Sequence, residues 1–290
     1  MDMTETTAVI GAGTMGTGVA QCLAEAGYRV VVHDPVPGAL DAARARLDAG
    51  LRTRALLRGR TGGAAPAAVR AAIEWTAATE PLAGVGFVIE CGPERLDVKR
   101  AILGVVDAVC APETVVASNT SAIPITRIAS WTAHPERVLG MHFMNPAPVK
   151  DTVEVIRAEH TTDAVLDAAL TLLARLGKRG VVVRDAPGFV SNRVLMPTVN
   201  EAAFLVHEGV ADAAAVDEVF QRCLGHPMGP LATADLIGLD VVLDSLDVLH
   251  EHYRDPKFRP CPLLSRLVHA GYHGRKTGRG FHTYRRGGTP

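Results

Sequence analysis

Aromatic side chains make up only 4% of the 290 residues, and neither sign of charge is in excess: 30 Lys and Arg stand against 31 Asp and Glu, for a formal net charge of -1. A chain that binds nucleic acid or an anionic membrane surface usually carries a strong basic surplus, so both kinds of partner are set aside in favour of a small molecule. Cysteine is sparse too. Cys22, Cys91, Cys110, Cys223 and Cys261 show no CxxC pair and no zinc-ligand spacing, and so read as reduced core thiols. Nor do the 11 histidines form a metal motif: His250 and His252 sit on a polar helix end, and His269 and His273 straddle Gly271. No apolar run approaches the roughly 18 to 20 residues of a membrane span. No charged segment followed by an apolar stretch and a small-residue cleavage site marks a secretory leader. A cytoplasmic location is the expectation.

What is present is apolar residue, 48% of the chain, enough to offset the entropy of ordering and to exclude disorder as the main state. The length suits one large or two modest domains. The first half alternates β-rich runs with helical patterns. Thr7–Ile10 and Arg29–His33 read as strands, and Thr14–Ala26 between them carries Met15, Val19, Ala20 and Leu23 on one helical face. Further strands are expected at Phe87–Cys91, Val115–Ser118, Val138–His142, Val153–Ile156 and Val181–Val183, with helices at Leu96–Val109 and Asp163–Leu176. Such alternation predicts an α/β fold, a doubly wound parallel sheet.

Beyond the turn signal Asp185-Ala186-Pro187-Gly188 the pattern becomes helical throughout, over Phe189–Glu208, Ala213–Leu224, Leu231–His252 and Leu263–Ala270. The predicted organisation is therefore a Rossmann-type domain over residues 1–185 and an all-helical domain over 186–290. Leu231–Leu249 is apolar around most of its circumference, which calls for burial on most sides, inside the protomer or against a second copy.

Gly11-Ala12-Gly13-Thr14-Met15-Gly16 lies between the first strand and the first helix, and Asp34 closes the second strand. Gly11 permits the tight turn, Gly13 lets the backbone approach a diphosphate at the helix N-terminus, and Gly16 lets helix pack on strand. Asp34 would accept hydrogen bonds from an adenosine ribose diol and repel a 2′-phosphate, favouring NAD over NADP. The motif does not by itself separate NAD from FAD.

Three later segments place polar residues in apolar surroundings: Ser118-Asn119-Thr120-Ser121, then His142-Phe143-Met144-Asn145 with Glu154 inside an apolar strand, and Ser191-Asn192-Arg193. Taken singly, His142 reads as a structural histidine more readily than as a base, and Ser121 or Asn192 as a helix or turn cap. Together with Glu90–Lys99, Met228-Gly229-Pro230, Ala234–Leu239 and the C-terminal Gly274–Phe281, these segments resemble the 3-hydroxyacyl-CoA dehydrogenase family in its short 3-hydroxybutyryl-CoA dehydrogenase form, over nearly the whole chain. The resemblance implies an NAD-dependent oxidoreductase with His142 as general acid/base and Glu154 orienting it. It implies Ser121 and Asn192 as hydrogen-bonding groups around the substrate oxygen and the imidazole. Glu94, Lys99 and Asn145 would line the nicotinamide half of NAD, with Lys276 also near the cofactor, and the helical domain would form a homodimer interface.

Two departures bear on substrate. Lys150-Asp151-Thr152 makes the loop after Pro148 more polar than in the usual member, and Cys91-Gly92-Pro93 replaces a more aliphatic stretch. Arg44, Arg46, Arg52, Arg54, Arg58, Arg60 and Arg70 have only Asp48 among them, so Arg52, Arg54 and Arg58 are candidates for the phosphates of CoA or for an acidic acyl carrier protein. Short members from secondary metabolism that resemble this chain act on carrier-bound hydroxyacyl groups, such as glyceryl units. The alternatives are thus a free acyl-CoA, a carrier-bound thioester, and, less in keeping with the His142 and Glu154 pair, a non-catalytic NAD-binding structural protein.

Overall fold

The computed structural model describes residues 6–58 and 64–284, the side chains of 55–58 excepted. Two compact units divide the chain, Met1–Ala186 and Pro187–Pro290.

The first unit is a single eight-stranded sheet: β1 (Thr6–Ile10), β2 (Arg29–His33), β3 (Ile73–Thr76), β4 (Phe87–Glu90), β5 (Val115–Ser118), β6 (Val138–Phe143), β7 (Thr152–Arg157) and β8 (Arg179–Arg184), in the order β3-β2-β1-β4-β5-β6-β7-β8. The central strands are short and apolar on both faces, β4 and β5 being buried at every residue, as strands covered by helices on two sides must be. Helices α1 (Thr14–Glu25), α2 (Ala39–Arg58), α3 (Pro66–Ala71), α4 (Leu96–Val109), α5 (Ile125–Ala129) and α6 (Asp163–Arg175) cover it. α1 buries Val19, Ala20 and Leu23, the face its spacing predicts.

One pairing departs from the parallel sheet expected. β6 and β7 run antiparallel, with His142 directly opposite Glu154, while every other pairing is parallel. The cause is the connection: only residues 144–151 join the two strands, too few for the crossover that a parallel neighbour requires.

The second unit holds α7 (Ser191–His207), α8 (Ala213–Cys223), α9 (Pro230–Ile237), α10 (Leu239–Tyr253) and α11 (Pro262–His269) around Leu231, Leu239, Val242, Leu246, Leu249, Phe258 and Leu264. The single helix expected over Leu231–His252 is two. Gly238, at φ 108°, breaks it, and burial inside the unit takes up much of the apolar circumference: Leu231, Leu239, Val242, Leu246 and Leu249 are buried, while Leu236 and Val241 stay exposed.

Buried carboxylates tie this unit together. Asp217 accepts the amides of Leu231 and Ala232 at the start of α9 and lies 2.8 Å from His282 Nε2. Asp235, 1% exposed, accepts the amides of Phe281 and His282 and the Tyr284 hydroxyl, so it anchors the C-terminal segment. Among the described residues, no helix is long and apolar enough to cross a membrane.

Candidate active site

The turn from β1 to α1 is built around what its glycines lack. A Cβ on Gly11, at φ 101°, would lie 2.7 Å from the Cys91 carbonyl, and one on Gly16 would lie 1.8 Å from the Gly11 carbonyl oxygen. Gly13 differs: a Cβ there meets nothing within 4 Å, and its backbone is extended. The N-terminus of α1 has neither a side-chain cap nor an acid in its first turn, so its leading N–H groups stay available. Thr14 is exposed and Met15 half-buried beside them. Asp34, just past β2, accepts the Ala12 amide at 2.8 Å through Oδ2 and the Val36 amide at 2.9 Å through Oδ1, which fixes the carboxylate beside the turn. Open space over Gly13, free helix-end amides and an anchored acid together fit a dinucleotide with a ribose diol.

The strand order reverses between β1 and β4, the crevice where an open α/β sheet takes a dinucleotide across from one half to the other. The loop beyond β4 carries Glu94, whose Oε1 accepts the Thr120 hydroxyl and, at 3.0 Å each, the amides of Ser121 and Ala122. Glu94 thereby shapes the loop after β5 that presents Ser121. Lys99 lies beneath and is fully buried. Its Nζ bonds both oxygens of Glu90, at 3.0 and 2.9 Å, and stands 3.7 Å from Glu94 Oε2. Lys99 thus reaches this part of the crevice through the carboxylates around it, and does not itself line an open surface as expected.

At the end of β6, His142 is buried, and its Nδ1 lies 2.9 Å from Glu154 Oε2. Directly opposed residues of an antiparallel pair put their side chains on one face, close enough for this contact. The neighbouring loop is tied in by Asn119 Oδ1, which accepts the Phe143 amide at 2.8 Å. Ser121 and His142 therefore belong to adjacent loop and strand ends, at the carboxyl edge of β5 and β6. Asn145 is exposed and joined to Pro146 by a cis peptide bond. With Nδ1 directed at Glu154, the dyad can take a proton from an alcohol or return it to an alkoxide.

In the second unit, Asn192 is buried in the first turn of α7, and Lys276 Nζ bonds both oxygens of Asp240 at 2.6 Å. The arginine segment holds more partners than its composition suggests. Arg44 pairs with Asp41, Arg54 with Glu25 and Arg70 with Asp48, and Arg46 donates to the Ala12 carbonyl. Asp41 and Glu25 precede the arginine segment in the chain, so it is not the open cationic stretch that its composition predicts. Arg52 is exposed; the Arg58 side chain and Arg60 lie outside the described residues. A cavity of about 230 Å³ in the first unit is lined by Arg54, Lys150, Asp151, Arg175 and Lys178 among others. Lys178 Nζ bonds the carbonyls of Ala147 and Lys150 and so clamps the loop between β6 and β7.

Glu90 and Asn119 are the residues that sequence reasoning passed over. An acid closing an apolar strand with a lysine nine residues on was the available signal for Glu90; Asn119 stood in a marked polar run, but nothing in the sequence gave it a role of its own. Among the described residues, no group of three or more His, Cys, Asp or Glu side chains could hold a metal ion.

Comparison with known proteins agrees with this geometry. Residues 6–186 match the 3-hydroxyacyl-CoA dehydrogenase NAD binding domain, and residues 188–284 match the C-terminal domain of the same name. The chain is 46% identical over 277 residues to a probable 3-hydroxybutyryl-CoA dehydrogenase of Bacillus subtilis, covering 95% of this chain and 96% of the relative. Among solved structures, FadB2 of M. tuberculosis is similar at 38% identity and a TM-score of 0.93, covering 98% of this chain and all of that one. The (S)-3-hydroxybutyryl-CoA dehydrogenase PaaH1 of Ralstonia eutropha is 40% identical with a TM-score of 0.88, at 98% and 100% coverage.

Proposed function

The chain belongs to the 3-hydroxyacyl-CoA dehydrogenase family, and on that premise we propose that it interconverts 3-hydroxybutyryl-CoA and 3-oxobutyryl-CoA with NAD, His142 serving as the general acid/base. The observation that carries this reading is the His142–Glu154 contact, on the strand beside the loop of Ser121 and in the same sheet as the glycine turn. NAD, when bound, accepts the hydride from C3 of the hydroxyacyl group.

The remaining chemistry falls to the protein. In the oxidising direction, His142 Nε2 takes the hydroxyl proton, and Glu154 against Nδ1 holds the tautomer and stabilises the imidazolium that forms. In the reducing direction the same proton goes back to the oxygen. Ser121 and Asn192 are assigned to hydrogen-bond that oxygen as charge develops on it. Gly11, Gly13, Thr14, Met15, Gly16 and Asp34 are assigned to the adenosine and diphosphate half of the cofactor. Glu94, Asn145 and, through Glu94, Lys99 are assigned to the nicotinamide half, and Lys276 keeps the cofactor role that the resemblance implies.

A thioester on an acyl carrier protein would undergo the same chemistry. The cavity beside Lys150 and Asp151, with Arg54, Arg175 and Lys178 around it, supports a phosphate-bearing arm from either carrier. Incubation with NAD and either 3-hydroxybutyryl-CoA or a glyceryl-carrier protein, followed by NADH absorbance, tests the two. NADH formed from the CoA ester supports the primary reading, NADH from the carrier alone moves the assignment to the carrier, and none from either refutes both.

For assembly the proposal is a homodimer formed through the second unit, on whose surface Val194, Leu205, Leu236 and Val241 are exposed. Light scattering at low micromolar concentration checks it, and a clean monomer overturns it. The proposed compartment is the cytoplasm.

A further inference from the structure

Two carboxylates and one ammonium meet below the crevice where the sheet order reverses, and they are not equally compensated. Glu90 is 0% exposed and saturated: Oε1 accepts from Lys99 and the Gly92 amide, and Oε2 from Lys99 and the Ser118 hydroxyl at 2.6 Å. Burial pushes the Lys99 ammonium down, but the charges of Glu90 and Glu94 outweigh it, so its proton is held more tightly than usual. Lys99 and Glu90 therefore cancel at close range. Glu94 stands farther from the ammonium, at 3.7 Å, and its side chain retains 25% of its exposure. The three groups sum to one net negative charge, and Glu94, ion-paired to Lys99 only at the longer distance, is the exposed end of it, in the loop that leaves β4 and meets the loop leaving β5.

A dinucleotide held by the β1–α1 turn crosses to the β4 and β5 side at that reversal. Its nicotinamide is a cation when oxidised and neutral when reduced. We infer that Glu94 selects the redox state of the cofactor, holding the oxidised form in preference to the reduced one, and that Glu90 makes this possible by keeping Lys99 from neutralising Glu94. Glu90 is thus a positioning residue, which acts through Lys99, Ser118 and the Gly92 amide. The preference weakens the hold on the reduced cofactor after each oxidation and so favours its release.

The inference rests on the NAD site proposed above, and the experiment separates the two. Affinity for NADH is measured by its own fluorescence and affinity for NAD by competition, with no thioester present. In Glu94→Gln the amide oxygen still accepts the three loop bonds, so the loop keeps its shape while the charge goes. The ratio of NAD to NADH affinity falls by roughly five- to tenfold, the effect of one unit charge several ångströms away in a partly screened site. In Glu90→Gln, Lys99 turns to Glu94 and the ratio falls in the same direction, although residue 90 is buried out of reach of any cofactor. In the double variant Glu90→Gln with Lys99→Met the charge on Glu94 is again uncompensated, and the ratio returns to that of the unaltered protein.

A role in folding alone would weaken both cofactor forms together and leave the ratio constant. An unchanged ratio in Glu94→Gln overturns the inference, and an unchanged ratio in Glu90→Gln removes Glu90 from it. If the double variant shifts the ratio as far as Glu94→Gln does, the selecting charge is not on Glu94. Failure of the unaltered protein to bind either cofactor form would refute the NAD site itself.

Discussion

His142 and Glu154 are register partners across the antiparallel β6–β7 pairing, and Nδ1 of the histidine lies 2.9 Å from Oε2 of the glutamate. Because opposed residues share a face, the strand pairing itself aims the carboxylate at the ring. The dyad is set by backbone register and not by a loop, which suits the proposed base, a group that must hold one orientation through a catalytic cycle.

His142→Gln is expected to keep the fold and NADH binding but to remove the group proposed to exchange the proton. The expected loss is about 100- to 10,000-fold in turnover with 3-hydroxybutyryl-CoA and NAD. Unchanged turnover would take His142 out of the mechanism. Glu154→Gln lowers turnover in the same direction, since an amide can hold the ring but does not neutralise the imidazolium.

The three motif glycines separate by what surrounds them. At Gly13 a side chain meets no protein atom within 4 Å and the backbone is extended, so Gly13→Val folds with nearly unchanged thermal stability and loses NADH binding. Gly16→Val drives a Cβ against the Gly11 carbonyl and lowers the melting temperature as well. Equal melting temperatures for the two variants would contradict this geometry.

Asp34 anchors the glycine turn through Ala12 and Val36 and carries the charge proposed to repel a 2′-phosphate. Asp34→Asn leaves one oxygen to accept an amide and removes the charge. The ratio of NAD to NADP in kcat/KM falls, expected at roughly tenfold, on the order of one charge–charge contact largely screened by water. A ratio that stays constant would assign the selection elsewhere.

Tyr284 links pH to the hold on the C-terminal segment. Burial, then the neighbouring Asp235 charge and the hydrogen bond to it, push the phenol from 10.0 up to about 12. The unfolded chain loses this proton near 10 and the folded protein only near 12. The contribution is therefore complete below about pH 10 and disappears as pH rises to about 12. Urea unfolding across that interval shows a decline in stability that Tyr284→Phe lessens; identical declines in both proteins would exclude the linkage.

Much of the site was legible from residue type and spacing. Gly11, Gly13, Gly16 and Asp34 announce themselves because a tight turn, a close backbone approach and a strand-end acid each demand a particular residue, and those demands are local. The strands β1, β2, β4, β5, β6 and β7 followed from short apolar runs for the same reason. The break at Gly238 escaped the helical pattern, because apolar spacing continues on both sides of one glycine at φ 108°. The edge strand β3, Ile73–Thr76, went unanticipated as well, being only half apolar.

By itself the sequence determined the chemistry available: a dinucleotide turn, an acid for the ribose, a histidine and a glutamate, and two domain patterns. Tertiary structure decided which groups act on one another. Strand direction made His142 face Glu154, and the sheet's order placed Glu94 across the crevice from the glycine turn. Burial turned Lys99 inward onto Glu90. Arg54 was matched with Glu25, 29 positions earlier in the chain, in a segment whose composition had suggested an open cationic face. Such pairings join residues distant in sequence, and their energies depend on distance and desolvation, which no local spacing encodes.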